Sequence, residues 1–349
     1  MNFYNSKHKY YCGVDLHAKS MFLCIMNDDG EVLTHRNIRN DSNYFLKVLE
    51  PYKEDVVVAV ECMFSWYWVA DLCRDNNIKF ILGHALYMKA IHGGKAKNDK
   101  IDSKKIAALA RGGMFPTAYI YPREMRSARD LMRRRTSLVR MRATLVSQIQ
   151  LSRIQYNLPS FDTEVRSKKG KVEEGIIKHF PDRFVQKGVA GNAEVINQLD
   201  DSIKKLELSI LKAARVHDHD SLRILQTVWG IGPILALTML YEIHTPDRFP
   251  SHGDFLSYAR LVKCRKESAG KDYGSSGKKI GNAYLKWAFS EAAVLFIRGN
   301  PEGMAYLQKL ERKHGKAKAL SVLSAKLGKA VFIILKKKRS FDMNKFLQV

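Results

Sequence analysis

Short apolar runs dominate the first hundred residues, and they have the length of β-strands. The segments YYCGVDLH, SMFLCIMND and GEVLTHRNI follow one another closely, and the NDDG between the last two is a hairpin turn signal. The run DVVVAVE is continuously apolar, which is typical of a strand buried on both faces. We therefore expect three meandering strands, followed by strands that alternate with helices.

Helical patterns separate and follow the later strands. They cover about 42–49 and the segments SWYWVADLCRDNN and DSKKIAALARGG, while IKFILG is a further strand. Three meandering strands and then alternating strands and helices are the order of the RNase H-like fold. The sequence therefore predicts an α/β domain with a mixed sheet over residues 1–122, followed by an all-α remainder.

Residues 123–216 are predicted to form a helical, coiled-coil segment. Nine arginines lie between 123 and 153, and leucines recur every seven residues, so we expect a long amphipathic helix with an arginine-rich outer face. A second apolar repeat, spaced by three and four residues, has the pattern of a coiled-coil seam. It comprises Ile196, Leu199, Ile203, Leu206, Ile210 and Ala213. Either an intramolecular helical hairpin or a dimer contact would bury this seam.

Residues 217–349 are predicted to be a helical domain that contains a helix-hairpin-helix. Two apolar helical patterns flank Gly230-Ile231-Gly232, and Pro233 stands at the first position of the second helix. Glycines there allow backbone amides to approach a phosphate, and the helix N-terminus adds positive potential. A hairpin that only packs two helices together would explain the same pattern. Because the chain is basic, nucleic-acid binding by Gly230 and Gly232 is the favoured interpretation.

The charge balance narrows the classes of partner. The chain has 59 Lys and Arg against 35 Asp and Glu, a net charge of +24, and its default partner is nucleic acid. A membrane is not expected, since no apolar run approaches the ~20 residues of a span and the N-terminus lacks a signal segment. The five cysteines include no CxxC motif, which indicates neither a disulfide framework nor a zinc site and fits a reducing cytoplasm.

Four acidic residues provide the candidate catalytic chemistry. Asp15 lies within a strand, Glu61 ends the buried strand, and Asp99 and Asp102 open a later helix. In an RNase H-like sheet these positions are neighbours, and four carboxylates at one point ionise together only beside cations. Oxygen ligands favour Mg²⁺ or Mn²⁺. Two such ions, about 3.5–4 Å apart, would activate a nucleophile and stabilise the leaving oxygen of a phosphodiester.

Three of the four carboxylates could also have a purely structural role, without metal binding. An aspartate at a helix start is a common cap, and Glu61 at a strand end could be a surface residue. Asp15 is harder to explain in this way, because a buried unpaired carboxylate is costly. Taken together, the four acids favour a metal site. His17 lies two residues beyond Asp15, on the same face, and could touch substrate.

Longer motifs resemble one family. GVDLHAKS, VAVECMFSWYW, KAKNDKIDSKKIAALARGG and YPREMRSARDLMRRRTSLV resemble the DEDD transposases, or recombinases, of bacterial insertion sequences. VWGIGPILALTMLYEIHTPDRFPSHGDFLSYARLV resembles the start of their C-terminal transposase domain. The resemblance covers the chain from Gly13 to about Leu327. It implies a bacterial enzyme with a RuvC-like N-terminal domain, and it maps the family's four acidic positions onto the carboxylates named above.

The resemblance further implies a serine nucleophile in the C-terminal domain. Family spacing from both flanks assigns it to Ser268, with Ser275 and Ser276 as alternatives. Its attack on DNA would leave a covalent phosphoserine at the 5′ phosphate. Because Ser268 is far from Asp15 in sequence, the active site must be composite, between domains or between subunits.

Basic residues are expected to contact nucleic acid. The candidates are Arg133, Arg134 and Arg135 in the arginine-rich helix, and Lys271, Lys278 and Lys279 near the serine. The resemblance implies a homodimer or homotetramer that joins donor and target DNA duplexes. It also implies a structured bridge RNA whose base pairing reads the sequence.

The sequence thus predicts an insertion-sequence transposase that acts as an RNA-guided, metal-dependent recombinase through a covalent serine–DNA intermediate. The alternative is a RuvC-like, structure-specific nuclease of the Holliday-junction resolvase type, which would use water and form no adduct. A third interpretation is a non-catalytic nucleic-acid-binding protein, whose acidic residues would have no metal affinity.

Overall fold

The computed structural model of the chain describes residues 2–91, 98–160, 174–276 and 280–348. The chain divides into two compact units, Met1–Arg123 and Glu124–Val349. Within the described ranges the first unit is α/β, and the second consists of helices and one two-stranded ribbon. The predicted fold class, a mixed sheet followed by a helical region, is confirmed. Both the predicted middle segment and the predicted C-terminal segment fall within the second unit.

The first unit is built around a five-stranded mixed sheet. Its strands are β2 (Tyr10–Leu16), β3 (Ser20–Asn27), β4 (Val32–Arg39), β5 (Val56–Glu61) and β6 (Lys79–Gly83). Their order across the sheet is β4-β3-β2-β5-β6, with β2, β3 and β4 antiparallel and β5 parallel to both β2 and β6. A separate short pair joins β1 (Phe3–Tyr4) to β7 (Phe115–Pro116).

Helices cover both faces of this sheet. They are α1 (Ser42–Leu49), α2 (Tyr67–Asp75), α3 (Ala85–Ile91) and α4 (Asp99–Arg111). Side chains alternate along β2, so Cys12 and Val14 pack in the apolar core with α1 and α2, while Tyr11 packs in the core with α3 and α4. Asp15 and Gly13 therefore belong to the face that α4 covers.

The second unit contains long helices and a small ribbon. Its helices are α5 (Arg123–Gln155), α6 (Glu174–Lys178), α7 (Arg183–His217), α8 (His219–Gln226), α9 (Pro233–Ile243), α10 (His252–Tyr258), α11 (Ala283–Phe296), α12 (Pro301–His314), α13 (Lys316–Lys337) and α14 (Met343–Leu347). The ribbon pairs β8 (Cys264–Ser268) with β9 (Lys271–Ser276). Of the helices in the described ranges, none combines the length and the apolar character that crossing a bilayer requires.

The predicted coiled-coil seam packs within the chain. Ile196, Ile203 and Ile210 of α7 are at most 3% exposed. Apolar clusters combine residues of α5 and α7 at both ends of the pair. Of the two arrangements that would bury the seam, the structure has the intramolecular helical hairpin.

The expected arginine-rich outer face of α5 is wrong for several of its arginines. Arg126, Arg129, Arg135 and Arg142 are buried, at 5–8% exposure. The reason is that neighbouring helices present acids to α5, and ion pairing offsets the desolvation of a buried guanidinium. Arg135 lies 2.6 Å from Glu207, and Arg142 lies 2.7 Å from Asp200.

Candidate metal centre and serine hairpin

The close approach of α4 to β2 at Gly13 forms the candidate metal centre. A Cβ at Gly13 would lie 2.3 Å from the backbone nitrogen of Ala107 and 2.3 Å from the carbonyl oxygen of Ser103. Real Cβ contacts are never this short, so the missing side chain is what lets the helix rest directly on the strand. Since Asp15 lies two residues beyond Gly13 on the same face, the first turn of α4 comes to lie near Asp15.

Asn98, rather than either aspartate, caps α4. Its side-chain oxygen accepts a 2.8 Å hydrogen bond from the backbone N–H of Ile101. Asp99 and Asp102 lie inside the first turn, where the helix dipole also favours negative charge. The capping explanation for these two aspartates therefore does not hold, because a neighbouring residue already has that role.

His35 of β4 contacts the first turn of α4. Its Nε2 lies 2.9 Å from the carbonyl oxygen of Lys100 and 3.2 Å from the hydroxyl of the buried Ser103. Burial lowers the pKa of His35, and the nearby Lys100 and Lys104 charges lower it further, against the opposing effect of the Lys100 carbonyl. The uncharged imidazole is thus favoured, and it can donate Nε2–H to the helix backbone.

Asp15, His17 and Asp99 converge on one point. Nε2 of His17 lies 3.4 Å from Oδ2 of Asp15 and 3.3 Å from Oδ2 of Asp99. One ligand atom from each of the three residues lies within 4.8 Å of the others, so the group could hold a metal ion. The Asp15 side chain is 14% exposed and that of Asp99 is 56% exposed, so the cluster opens towards solvent on the side of α4.

The electrostatics of Asp15 fit a cation site. Its pKa is raised, mainly by burial and further by the negative charges of Asp99 and Asp102, while His17 opposes the increase. A carboxylate in this environment is stabilised by any added positive charge. The donor set is two carboxylates and an imidazole, which suits a divalent metal ion.

The other two predicted ligands, Asp102 and Glu61, lie on α4 and at the end of β5. Asp102 shares the first turn of α4 with Asp99 and acts electrostatically on Asp15. Glu61 ends β5, and the parallel register pairs Val14 with Val60, so Asp15 and Glu61 follow the last registered pair on neighbouring strands. Val14 and Val60 pack in the core on the opposite face, so the alternation of side chains assigns Asp15 and Glu61 to the face covered by α4. The structure thus brings Asp15 and Asp99 together, and it places Asp102 and Glu61 on the elements beside them.

The tight turn after β2 positions His17, which was not among the predicted ligands. The backbone N–H of His17 donates a 2.9 Å hydrogen bond to the carbonyl of Ser20, where β3 begins. This bond fixes the backbone of His17, from which the imidazole reaches Asp15 and Asp99. The period-two spacing from Asp15 was the signal in the sequence.

Ser268 lies at the tip of the β8–β9 ribbon. It pairs with Lys271 across a two-residue turn, in which Ala269 has φ 50° and Gly270 has φ 74°. Positive φ at both central residues is the geometry of a type I′ hairpin turn. Ser268 and Lys271 are both exposed, and paired residues of antiparallel strands share a face. A lysine therefore accompanies the candidate nucleophile.

The remaining candidates of this segment are farther along the ribbon. Ser275 pairs with Arg265 and Ser276 with Cys264, so both alternatives belong to the end of the ribbon away from the turn. Lys278 and Lys279 lie outside the described residues.

The two glycines of the predicted helix-hairpin-helix have different surroundings. Gly230 has φ +83°, and a Cβ there would lie 2.6 Å from the backbone nitrogen of Phe296, so this glycine is needed for packing against α11. A Cβ on Gly232 would meet no atom of the described residues within 4 Å. Gly232 precedes α9 without a side-chain hydrogen bond in the described structure to cap the helix. Gly230 thus fits the packing explanation, and Gly232 leaves the helix N-terminus open.

The three consecutive arginines of α5 differ as well. Nε of Arg133 lies 2.7 Å from Oε1 of Glu242, and its guanidinium lies 4.7 Å from the ring centroid of Tyr284. Arg134 is exposed. Arg135 is buried against Glu207, with its guanidinium in the packing between α5 and α7, and this position does not favour the expected contact with nucleic acid.

Glu242 is the centre of a buried polar network that the sequence did not reveal. It is 2% exposed and pairs with Arg129 and Arg133 of α5. Burial raises the pKa of Glu242, but the Arg133 hydrogen bond, the charges of both arginines and the Asn282 amide together lower it below its ordinary value. The carboxylate is therefore ionised at neutral pH.

Two family models match the chain, one in each part. Residues 12–152 match a DEDD model of the IS110 type, described as Transposase, and residues 222–308 match the model described as Transposase IS116/IS110/IS902 family. A comparison with curated proteins gives no match. The DEDD match suggests dependence on a divalent metal, in agreement with the group formed by Asp15, His17 and Asp99. The chain belongs to the IS110-type family of DEDD transposases and is therefore a DNA-processing enzyme.

Proposed function

We propose that this transposase is an RNA-guided DNA recombinase that cuts and exchanges strands through a covalent bond between DNA and Ser268. The observation that carries the proposal is the convergence of Asp15 and Asp99 on one point, with Asp102 in the same helical turn and Glu61 on the neighbouring strand. Such a set of carboxylates is of little use to folding, since each raises the cost of ionising the others.

Asp15, Glu61, Asp99 and Asp102 are the proposed metal ligands, and the proposed cofactor is two Mg²⁺ or Mn²⁺ ions. Bound divalent ions would polarise the phosphate and stabilise developing negative charge on oxygen. The raised pKa of Asp15 supports this assignment, because a cation relieves both causes of the increase. The partly exposed side chains leave room for a phosphodiester beside the acids.

Ser268 is the proposed nucleophile. In the proposed step its Oγ forms a bond to a DNA phosphorus while the bond from that phosphorus to the 3′ oxygen breaks. The serine loses its proton and the departing 3′ oxygen gains one, so one phosphoester replaces another and no external energy source is needed. Exposure of Ser268 at a hairpin tip, with Lys271 across the turn, supports this role, because a protruding hydroxyl can reach a site built by other residues.

The proposed partners are donor and target DNA duplexes and a structured bridge RNA, with the chain acting as a dimer or tetramer. The net charge of +24 supports polyanionic partners. Exposed Arg134 and Lys271 and the open N-terminus of α9 at Gly232 are the proposed contacts. The proposed active site is composite, because the carboxylates and Ser268 are far apart in the sequence.

The test is detection of protein-linked DNA after incubation of the full chain with bridge RNA, donor and target DNA and Mg²⁺. Ser268→Ala is expected to abolish the adduct, and Asp15→Ala is expected to abolish strand cleavage altogether. Ser290→Ala, which alters an exposed serine on α11, is the matched control and should leave the adduct unchanged.

Other results would point elsewhere. An adduct that survives Ser268→Ala but not Ser275→Ala or Ser276→Ala would move the nucleophile along the ribbon. Strand cleavage with no adduct in the unaltered protein would favour the resolvase-type nuclease that uses water. Full recombination by Asp15→Ala would rule out the proposed metal site.

A further inference from the structure

The imidazole of His17 is directed at both acids of the candidate metal centre. Its Nε2 is nearly equidistant from Asp15 and Asp99, at 3.4 and 3.3 Å from their respective Oδ2 atoms. Both distances are longer than the roughly 2.7–2.9 Å of a charge-assisted N–H···O hydrogen bond. Here one nitrogen and two carboxylate oxygens surround a common space, which is the arrangement of a ligand set.

We infer that His17 supplies a nitrogen ligand to the divalent ion held by Asp15 and Asp99, and that this donor makes the site prefer Mn²⁺ to Mg²⁺. The inference rests on the proposed metal site and names a residue beyond its four carboxylates. Mg²⁺ keeps to oxygen ligands and to waters, whereas first-row transition ions accept imidazole readily. A mixed nitrogen and oxygen set therefore shifts relative affinity towards Mn²⁺.

Two features of His17 separate this role from a structural one. Its side chain is 47% exposed, so the imidazole contributes little to the apolar core. Its position is set by the backbone, through the hydrogen bond from its N–H to the Ser20 carbonyl, and this bond does not need the imidazole. Replacement of His17 should therefore leave the turn and the fold in place.

His35 offers a matched comparison. Among the described residues it is the other imidazole that lies against the first turn of α4, but its Nε2 faces the Lys100 carbonyl at 2.9 Å and the Ser103 hydroxyl. It is thus directed at the helix backbone instead of at the carboxylates. Substitution of His35 tests whether any histidine near α4 would give the same result.

The experiment is pulsed EPR on the full chain loaded with Mn²⁺, which detects the ¹⁴N coupling of a coordinated imidazole nitrogen. The unaltered protein and His35→Gln should both show this coupling. His17→Ala and His17→Gln should lack it and should still bind Mn²⁺. In parallel titrations with Mn²⁺ and Mg²⁺, we expect the preference for Mn²⁺ to fall about tenfold in both His17 variants.

Each contrary result has a separate meaning. Mn²⁺ bound without ¹⁴N coupling in the unaltered protein would overturn the inference and leave the carboxylate site standing. Coupling that persists in both His17 variants would overturn it in the same way. Failure of the unaltered protein to bind Mn²⁺ would overturn the inference together with the proposed metal site.

Discussion

The side-chain amide of Asn282 donates a 2.7 Å hydrogen bond to Glu242, although the two residues are 40 positions apart. Asn282 also caps α11, since its Oδ1 accepts the backbone N–H groups of Tyr284 and Leu285. The network thus ties the start of α11, which follows the serine ribbon, to α9 and to the arginines of α5. A buried acid therefore helps to fix the start of the helix that follows the ribbon in the sequence.

Removal of this acid should destabilise the second unit. Glu242→Ala removes the carboxylate that accepts from two buried or half-buried guanidinium groups and from the Asn282 amide, which should lower the free energy of unfolding by about 3–5 kcal/mol. Thermal unfolding of the full chain would report the change. Glu291→Ala, an exposed position on α11, should stay within about 0.5 kcal/mol of the unaltered protein. Equal melting temperatures for the two variants would contradict the role of the network.

The stabilisation by Glu242 should depend on pH in the acid range. Its folded-state pKa is lower than the ordinary 4.5, so its contribution is fully present above 4.5 and is lost as pH falls through the folded-state value. The stability difference between the unaltered protein and Glu242→Gln should therefore be constant near neutrality and should shrink in acid. Unfolding measured across a pH series checks this sign. A difference that grows on acidification would contradict it.

The carboxylate cluster should cost stability when no metal is bound. Asp15→Asn removes a charge that burial, Asp99 and Asp102 all oppose, so the metal-free variant should melt at a higher temperature than the unaltered protein. Added Mg²⁺ should raise the melting temperature of the unaltered protein, because the ion binds the folded state, but not that of the variant. Differential scanning calorimetry with and without Mg²⁺ measures both effects. Identical Mg²⁺ responses would argue against Asp15 as a ligand.

The contact at Gly13 should be intolerant of a methyl group. Gly13→Ala forces α4 away from β2, and we expect a loss of about 1–3 kcal/mol together with loss of strand cleavage. Gly188→Ala is the control, because a Cβ there would meet no described atom within 4 Å and alanine is favoured within a helix. The two variants should therefore differ in sign when their unfolding is compared. A neutral Gly13→Ala would show that the helix can shift at no cost.

The serine hairpin should depend on the backbone of Ala269 more than on its side chain. Glycine adopts φ near 50° readily, so Ala269→Gly should keep adduct formation. Proline fixes φ near −65°, so Ala269→Pro should break the turn and abolish the adduct while the melting temperature changes little. Adduct assays beside thermal unfolding separate these outcomes. Equal adduct yields from both variants would show that the turn geometry is irrelevant to Ser268.

Local patterns in the sequence were sufficient to predict the sheet and its principal helices. Strands β2, β3, β5 and β6 are apolar runs of suitable length, β4 follows a hairpin turn signal, and the helical patterns between the later strands are local features. The pair β1–β7 has two residues in each strand, which is too short for any pattern, and it forms through contact between distant parts of the chain.

The candidate site was predictable to the extent that a carboxylate within an apolar strand, as at Asp15, is unusual. Asp15 and Asp99 are close together because Gly13 admits α4, and a single glycine gives no hint of the helix that will cover it. For a similar reason, several arginines of α5 that were predicted to be exposed are buried. The helical pattern indicates which residues share a face, but not that Asp200, Glu207 and Glu242 would meet that face.

The hairpin of α5 and α7 has a mechanical consequence. Its helices contain 33 and 35 residues, so each spans about 50 Å, roughly the length of fifteen base pairs of B-DNA. A separate apolar cluster, which includes Ile149 and Phe180, packs one end of the pair, while Met132 and Ile210 join the main core at the other. Because an apolar cluster packs each end of the pair, the two helices should form a rigid extension. A molecule bound at the end that contains Ile149 would then lie several nanometres from the apolar core that contains Met132.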